Sequence, residues 1–336
     1  MPDPKTTLKS DPPVLRDPLT LPAELARPVV AIGNFDGAHR GHAAVINAAR
    51  SLARKLGRPL AALTFEPHPV DYFSRPGTVF RLTPEKARAR ALGRLGVDAV
   101  IVLSFDARLA AQPAEDFVAE TLVGRLGVAG VAVGYDFHFG KGRGGSPAFL
   151  VEAGRRHGFP VEIVDRVDAD ADGAPEAVHS NAARVALEAG DVALAARLLG
   201  HEWFVVGEVI HGQKLGRTLG FPTANVALDP SCRLRHGIYA VRLTVDGVIH
   251  GGVANFGSRP TVTENGAPLL EVFVFDFSGD LYGKTVEVAF AGWIRGEAKF
   301  ASLDELVVAM NDDKARARAM LGLAPEKAAL SEPGRV

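Results

Sequence analysis

The sequence predicts an α/β protein in two parts, a parallel sheet covered by helices and then a small antiparallel β-barrel closed by one helix. From residue 28 to residue 164, apolar runs of strand length alternate with stretches of helical periodicity, which is the pattern of βαβ units. From Trp203 onward, strands and turn residues follow one another without a helix of comparable length among them, as in a small barrel or sandwich. The boundary between the two patterns falls near Gly200.

Length and composition limit the classes of function. A chain of 336 residues that is 47% apolar can bury the cores of two globular domains. Its 38 basic and 39 acidic residues lack the basic excess of proteins that bind long nucleic acids or anionic membranes, so we expect small-molecule ligands and neither of those partners. The single cysteine, Cys232, excludes an internal disulfide. The sequence also has no signal-peptide pattern and no apolar run of transmembrane length. Together with the single cysteine, these observations predict a cytoplasmic protein.

The N-terminal half begins with residues 1–22, which are rich in Pro, Asp and Lys and which we expect to form a disordered tail. A domain over residues 23–200 follows, with the predicted strands VVAI, LAALTF, DAVIVLSF, GVAVG and VEIV. Helical spacing predicts helices from Pro84 to Leu95 and from Ala114 to Leu126. An acidic loop, DADADGAPEA, precedes a last helical stretch, NAARVALEAGDVALAARLLG.

The C-terminal half predicts a domain over residues 201–322 and a frayed tail over 323–336. Its strand-like segments are FVVGEVI, GIYAVRLTVDGVIHGGV, LLEVFVFDF and TVEVAFAGW, and the VDG sequence at 245–247 indicates a hairpin turn. The closing helix is predicted from LDELVVAMNDDKARARAML, whose alternating charges indicate a solvated face.

The stretch GNFDGAHRGH, at 33–42, carries two histidines where a predicted strand passes into a predicted helix. A zinc site would need further Cys, His or carboxylate ligands at similar spacing, and the chain has one cysteine and no HExxH. The carboxyl ends of parallel strands and the amino ends of helices favour an anionic phosphate, beside which imidazoles can stabilise charge. His39 and His42 therefore predict a phosphate site, unless they only cap the helix.

The same stretch resembles the HxGH motif of the nucleotidyltransferase superfamily, in the form found in bacterial bifunctional riboflavin kinase/FAD synthetases. LTFEPHP at 63–69 and VGYDFHFGKGRGG at 133–145 follow in the order of that family's adenylyltransferase module. The resemblance implies a Rossmann-like domain in which the FMN phosphate attacks the α-phosphate of ATP. It implies phosphate contacts for His39 and His42. The other residues that it implies at this site are Gly33, Asn34, Phe35, Asp36, Phe65, Asp136, Phe137, Ser180 and Arg184.

Two of those positions have plain structural alternatives, since Phe65 fits a strand core and Asp136 fits the end of a strand. The stretch HSNAAR, at 179–184, departs from the family's Ser-Ser-Thr-x-x-Arg pattern, and Ala182 replaces a basic residue usual there. It motivates an alternative hypothesis, a riboflavin kinase whose N-terminal domain is structural or only binds FMN.

The stretch IHGQKLGRTLGFPTANV, at 210–226, resembles the riboflavin kinase signature that holds Mg-ATP. By this resemblance, Thr223 and Asn225 supply oxygen ligands to Mg²⁺, a hard ion that prefers oxygen. The remaining nucleotide contacts that it implies are Gly212, Lys214, Gly216, Gly220 and Pro222. A turn stabilised by Thr and Asn side chains is the structural alternative.

The segments at 252–262, 270–284 and 293–306 continue the kinase resemblance in order, and Glu271 matches the family's catalytic base. It lies in LLEVFVF, where a carboxylate is costly to bury without a purpose; the alternative is an exposed glutamate on an edge strand. Arg295, Glu297 and Lys299 fit salt bridges as well as ligand contacts. We therefore expect ATP, riboflavin and FMN as ligands, Mg²⁺ with the ATP, and no permanently bound cofactor. A flavin-binding regulator without turnover is a third hypothesis.

Overall fold

A computed structural model describes residues 11–75, 77–167, 180–211, 223–257 and 268–324. It confirms the predicted fold class. A six-stranded parallel sheet with helices is followed by a closed six-stranded antiparallel barrel and one further helix.

The N-terminal sheet has the strand order β1-β4-β3-β2-β5-β6, and all of its strand pairs are parallel. Its strands are β1 (Val14–Arg16), β2 (Val29–Ile32), β3 (Leu60–Glu66), β4 (Ala99–Ser104), β5 (Gly130–Gly134) and β6 (Val161–Val164). The chain proceeds from β2 toward one edge and returns to pair β5 on the other side of β2. The carboxyl ends of β2 and β5 therefore flank the topological switch point, where open α/β sheets bind ligands.

The helices of this half cover both faces of the sheet or extend toward the barrel. They are α1 (Arg40–Leu56), α2 (Pro69–Phe73), α3 (Glu85–Arg94), α4 (Ala107–Ala111), α5 (Ala114–Asp116), which continues as a π-helix (Phe117–Arg125), α6 (Pro147–His157), α7 (Ser180–Ala189) and α8 (Val192–Leu199). The last predicted helical stretch is two helices. Gly190 adopts a left-handed φ of 83°, and the Asp191 carboxylate then accepts from Leu194 N to cap α8.

The prediction that residues 1–22 form a disordered tail is wrong for residues 11–22. β1 pairs with β4 as an edge strand of the sheet, and the Asp17 carboxylate accepts from Ser104 N at 3.0 Å. An edge strand needs ladder hydrogen bonds on one side only, so a short Pro-flanked segment can form one. The composition of the segment did not indicate this long-range pairing.

The barrel has the strand order β10-β11-β8-β7-β12-β9, closed by pairing of β9 with β10. Its strands are β7 (Phe204–Ile210), β8 (Thr223–Ala227), β9 (Gly237–Val245), β10 (Val248–Phe256), β11 (Leu269–Val274) and β12 (Thr285–Arg295). The predicted hairpin is confirmed, since Asp246 and Gly247 link β9 to β10 with φ values of 51° and 78°. Two positive φ values are the geometry of a tight type I′ turn.

The C-terminal helix, Leu303–Met320, packs on the outside of the barrel. The prediction that its charges form a solvated face is wrong for Asp313 and Arg318, which are buried. Asp313 accepts two hydrogen bonds from Arg295, at 2.8 and 2.6 Å, and Arg318 donates to Asp276. The salt-bridge role that the sequence allowed for Arg295 is thus observed.

One of the hydrophobic clusters of the protein spans both halves. Phe80 and Leu82 from the N-terminal half, together with buried residues of α7 and α8, pack in the same cluster as the barrel interior. Trp203 Nε1 donates to the Leu82 carbonyl at 2.8 Å, and the Phe80 ring meets the Trp203 ring edge-on. By packing, α7 and α8 belong to the core of the barrel.

Candidate functional site

The GNFDGAHRGH turn follows β2 at the switch point of the sheet. Its backbone is unusually tight, because Phe35, Gly37 and Ala38 all have positive φ values. The Phe35 ring is fully buried beneath the turn, and a Cβ at Gly33 would lie 3.3 Å from it. Gly33 and Phe35 therefore shape the turn from below, while His39 and His42 lie at its far end where α1 begins.

The two histidines are in contact with each other. His39 is the N-cap of α1, and its Nδ1 accepts from His42 N at 3.3 Å, so its ring proton is on Nε2. The two rings stack with centroids 3.6 Å apart. Burial, and then the neighbouring His39, lower the pKa of His42 well below its ordinary value. His42 Nδ1 is buried and has no hydrogen-bond partner within the described ranges. A stacked pair of imidazoles, one of them with a strongly lowered pKa, thus lies at a helix N-terminus.

Asp36 connects this turn to two distant segments. Its buried carboxylate accepts from Leu82 N at 3.2 Å and from Thr83 N at 2.9 Å. Arg184 Nη2 donates to Asp36 Oδ2 at 2.6 Å, and Ser180 Oγ donates to the Asp36 carbonyl at 2.8 Å. The fold therefore brings the predicted residues Ser180 and Arg184, at the start of α7, to the predicted turn.

A buried ion cluster, which sequence reasoning missed, supports the turn from the other side. Glu66 accepts from Arg81 at 2.9 Å and from Arg88 at 2.6 Å, and Arg88 also donates to the Asn34 carbonyl at 3.4 Å. Burial alone would raise the pKa of Glu66, but the two guanidinium groups lower it to about 2. Glu66 stands in the quoted LTFEPHP stretch, yet nothing local to α3 indicates that Arg88 is 1% exposed.

The other predicted residues of this half, Asp136, Phe137 and Phe65, lie in or just after strands of the sheet. Asp136 is exposed after β5, and Phe137 stacks on Phe139 with centroids 5.4 Å apart. Phe65 is a buried core residue, as its structural alternative stated. Its ring meets Phe105, which also contacts Tyr72 and Phe73. We name Phe65, Tyr72, Phe73 and Phe105 the aromatic cluster; Phe73 is 70% exposed.

The described part of the chain gives no support to the zinc interpretation of the histidines. Within it, no three His, Cys, Asp or Glu side chains are grouped so that they could hold a metal ion. Within the same residues, no helix combines the length and apolar character needed to cross a membrane.

The second candidate site lies on the outer face of the barrel. Ala224, Val226, Leu270 and Val272 point into the core, so the alternate residues Thr223, Asn225 and Glu271 point outward. Asn225 on β8 is the register partner of Glu271 on β11, whose other partner is Asn255 on β10. The edge-strand interpretation of Glu271 is wrong, because β11 is paired on both sides. Burial raises the pKa of its carboxyl.

Several predicted residues of the second site lie outside the described residues. These are Gly212, Lys214, Gly216, Gly220 and Pro222. His179 of the HSNAAR stretch lies outside them as well.

Comparison with known proteins finds a match for each half of the chain. A family model for FAD synthetase matches residues 21–176, and one for riboflavin kinase matches residues 199–321. Among bifunctional riboflavin kinase/FMN adenylyltransferases, the Pseudomonas fluorescens protein is 45% identical over 292 residues, which cover 87% of this chain and 92% of that protein. The Escherichia coli K12 protein is 41% identical, covering 88% and 93%. The Bacillus subtilis protein is 36% identical, covering 88% and 92%.

The likeness extends to a solved structure. A crystal structure of a macrolide-efflux protein from Streptococcus pneumoniae superposes with a TM-score of 0.76 at 30% identity, covering 91% of this chain and 98% of that chain. The superposition therefore includes both halves of the fold. With two family models in succession and relatives matched along nearly their whole length, this chain belongs to the family of bifunctional riboflavin kinase/FMN adenylyltransferases.

Proposed function

We propose that the two sites act in succession, so that the barrel makes FMN from riboflavin and ATP and the parallel-sheet domain makes FAD from FMN and a second ATP. Both activities are those of the family to which the chain belongs. We assign each activity to one site because each matched region contains its own group of polar side chains. We assign FMN formation to residues 201–322 and FAD formation to residues 23–200.

In the kinase, Glu271 is the group that accepts the proton of the riboflavin 5′-hydroxyl as this oxygen attacks the γ-phosphorus of ATP and ADP leaves. Three features support this role: the outward position of Glu271, its partial burial and its raised pKa. Burial raises the pKa, and a raised pKa makes the carboxylate a better proton acceptor. Phosphoryl transfer depends mainly on positioning and on stabilising charge. One well-placed carboxylate is therefore enough to orient the hydroxyl and accept its proton.

The residues beside Glu271 fit Mg²⁺ bound with ATP. Thr223 and Asn225 alternate along β8 and so share its outer face, and they offer a hydroxyl and an amide oxygen, which are donors that Mg²⁺ accepts. When bound with ATP, the ion would neutralise part of the phosphate charge. Thr223 and Asn225 would hold the nucleotide beside Glu271, which lies on the neighbouring strand β11.

In the adenylyltransferase, an FMN phosphate oxygen attacks the α-phosphorus of ATP and pyrophosphate leaves. His39 and His42 would each donate an N–H to the charged oxygens at the N-terminus of α1. Arg184 adds a guanidinium whose carboxylate partner, Asp36, keeps it at the turn. The exposed rings of the aromatic cluster offer an apolar surface for the flavin ring at the same edge of the sheet.

The alternative, a kinase with an inactive N-terminal domain, has only the altered HSNAAR stretch in its favour. Against it stand the contacts of Ser180 and Arg184 with Asp36 in the GNFDGAHRGH turn and the similarity to bifunctional relatives. The cytoplasm stays the expected compartment on the ground of cysteine content.

One assay tests the assignment. The purified protein is incubated with riboflavin, ATP and Mg²⁺, and the flavins are separated by chromatography over time. We expect FMN to appear first and FAD to follow. FMN without FAD, even when FMN is supplied, would establish the alternative of an inactive N-terminal domain. Flavin binding without either product would establish the regulator.

A further inference from the structure

Asn255 carries a buried oxygen that none of the described residues pairs. Its Oδ1 is buried and has no hydrogen-bond partner within the described ranges. Buried amide oxygens are nearly always paired, since leaving one unpaired costs free energy. An exception in a native fold therefore indicates a group that is paired when a ligand is present.

The position of Asn255 indicates which ligand. It is the register partner of Glu271 on the strand opposite to Asn225. Residues directly opposite on neighbouring antiparallel strands have Cβ atoms about 5 Å apart on the same face. Asn225, Glu271 and Asn255 thus form a row of three polar side chains on the outer face of the barrel, which we name the polar row.

The order of the polar row matches the order of groups around the reacting hydroxyl. Thr223 and Asn225, the proposed nucleotide side, lie on one flank of Glu271, and Asn255 lies on the other. The 5′-hydroxyl of riboflavin has the γ-phosphate on one side and the rest of the ribityl chain on the other. If Glu271 takes the proton of that hydroxyl, a ribityl hydroxyl is the donor that comes to the Asn255 flank.

We propose that Asn255 binds riboflavin by accepting a hydrogen bond at Oδ1 from the ribityl 4′-hydroxyl, the neighbour of the hydroxyl that is phosphorylated. This inference rests on the proposed role of Glu271. It assigns Asn255 to substrate binding and specificity, with no part in proton transfer.

The test compares the wild-type protein with Asn255→Ala, using riboflavin and analogues that each lack the 2′-, 3′- or 4′-hydroxyl. Asn311→Ala is the matched control, because Asn311 is an exposed asparagine on the C-terminal helix whose amide donates to Val307 O. KM for riboflavin, KM for ATP, FAD formation from supplied FMN and the unfolding temperature are measured for each protein.

We expect Asn255→Ala to raise KM for riboflavin about 3- to 10-fold, the size of one neutral hydrogen bond, with KM for ATP and FAD formation unchanged. The difference between the two proteins should vanish only with the 4′-deoxy analogue. The unfolding temperature should stay the same or rise, because the substitution removes an unpaired buried oxygen. A merely structural role would lower it.

An unchanged KM for riboflavin, or a difference that survives loss of the 4′-hydroxyl, would overturn the inference while leaving the kinase assignment intact. A lower unfolding temperature with equal losses in both activities would overturn it in favour of a structural role. If the wild-type protein forms no FMN at all, the kinase assignment itself fails, and the inference fails with it.

Discussion

Arg184 donates to Asp36 across 148 positions of sequence, and this contact holds α7 against the GNFDGAHRGH turn. Asp36 is 1% exposed and its carboxylate is also bound by two backbone N–H groups, so it is fixed before any ligand arrives. The guanidinium donates through Nε to the Phe80 carbonyl as well. Arg184 is therefore held at the turn by groups from two other segments, and this would preorganise it for the proposed contact with the triphosphate.

Arg184→Ala should lower FAD formation from FMN by roughly 10- to 150-fold, since a charge-assisted hydrogen bond to phosphate is worth about 1.5 to 3 kcal/mol. FMN formation should keep most of its rate. Arg197→Ala, which removes an exposed arginine of α8, is the matched control. If Arg184→Ala and Arg197→Ala form FAD equally fast, Arg184 does not bind the triphosphate.

Glu271→Gln should lower FMN formation by about 10² to 10⁴, the usual contribution of a general base. Because burial raises the pKa of Glu271, kcat/KM of the wild-type kinase should fall as pH drops through a pKa above 4.5, and the variant should lack this acidic limb. Glu208→Gln, on the exposed side of β7, is the control and should change neither. A wild-type rate in Glu271→Gln would remove the residue from the mechanism.

The local patterns of the chain predicted most of the architecture, because alternating apolar runs and helical spacing are short-range signals. The motif positions likewise predicted the turn at 33–42 and the residues of α7 that reach it. What the sequence could not predict depends on which distant segments pair. The sequence around Arg88 on α3 does not indicate that its side chain contacts Glu66. The position of Asn255 beside Glu271 follows only from the register of β10 with β11.

His39→Ala and His42→Ala should each lower FAD formation by about 10² to 10³, as expected when a donor to a charged oxygen is removed. FMN formation should be spared in both. His157→Ala, at the far end of α6, is the control. Loss of FAD formation on zinc chelation with Mg²⁺ present would instead restore the metal-ligand interpretation of the two histidines.

Glu66→Gln should destabilise the protein by about 3 to 5 kcal/mol at neutral pH, because it leaves the buried Arg88 guanidinium without its hydrogen-bonded carboxylate. The folded-state pKa of about 2 lies below the ordinary 4.5, so the stability from this carboxylate is present above pH 4.5 and is lost as pH falls toward 2. Denaturant unfolding at pH 7 and pH 3 measures it. Glu162→Gln, exposed on β6, should show the wild-type dependence; a Glu66→Gln protein that does so too would contradict the assignment.

The shared core predicts where the kinase can be separated. Leu187, Val192 and Leu199 of α7 and α8 are buried with the barrel interior, and burying each such side chain stabilises by about 1.5 to 3 kcal/mol. A fragment that begins at Ser180 should therefore unfold at a clearly higher temperature than one that begins at His201, and should form FMN faster at 37 °C. In the intact protein, Leu187→Ala should cost about 2 to 5 kcal/mol and should lower the temperature at which FMN formation is lost. Equal unfolding temperatures for the two fragments, together with an unaffected kinase in Leu187→Ala, would show that the barrel is stable without these helices.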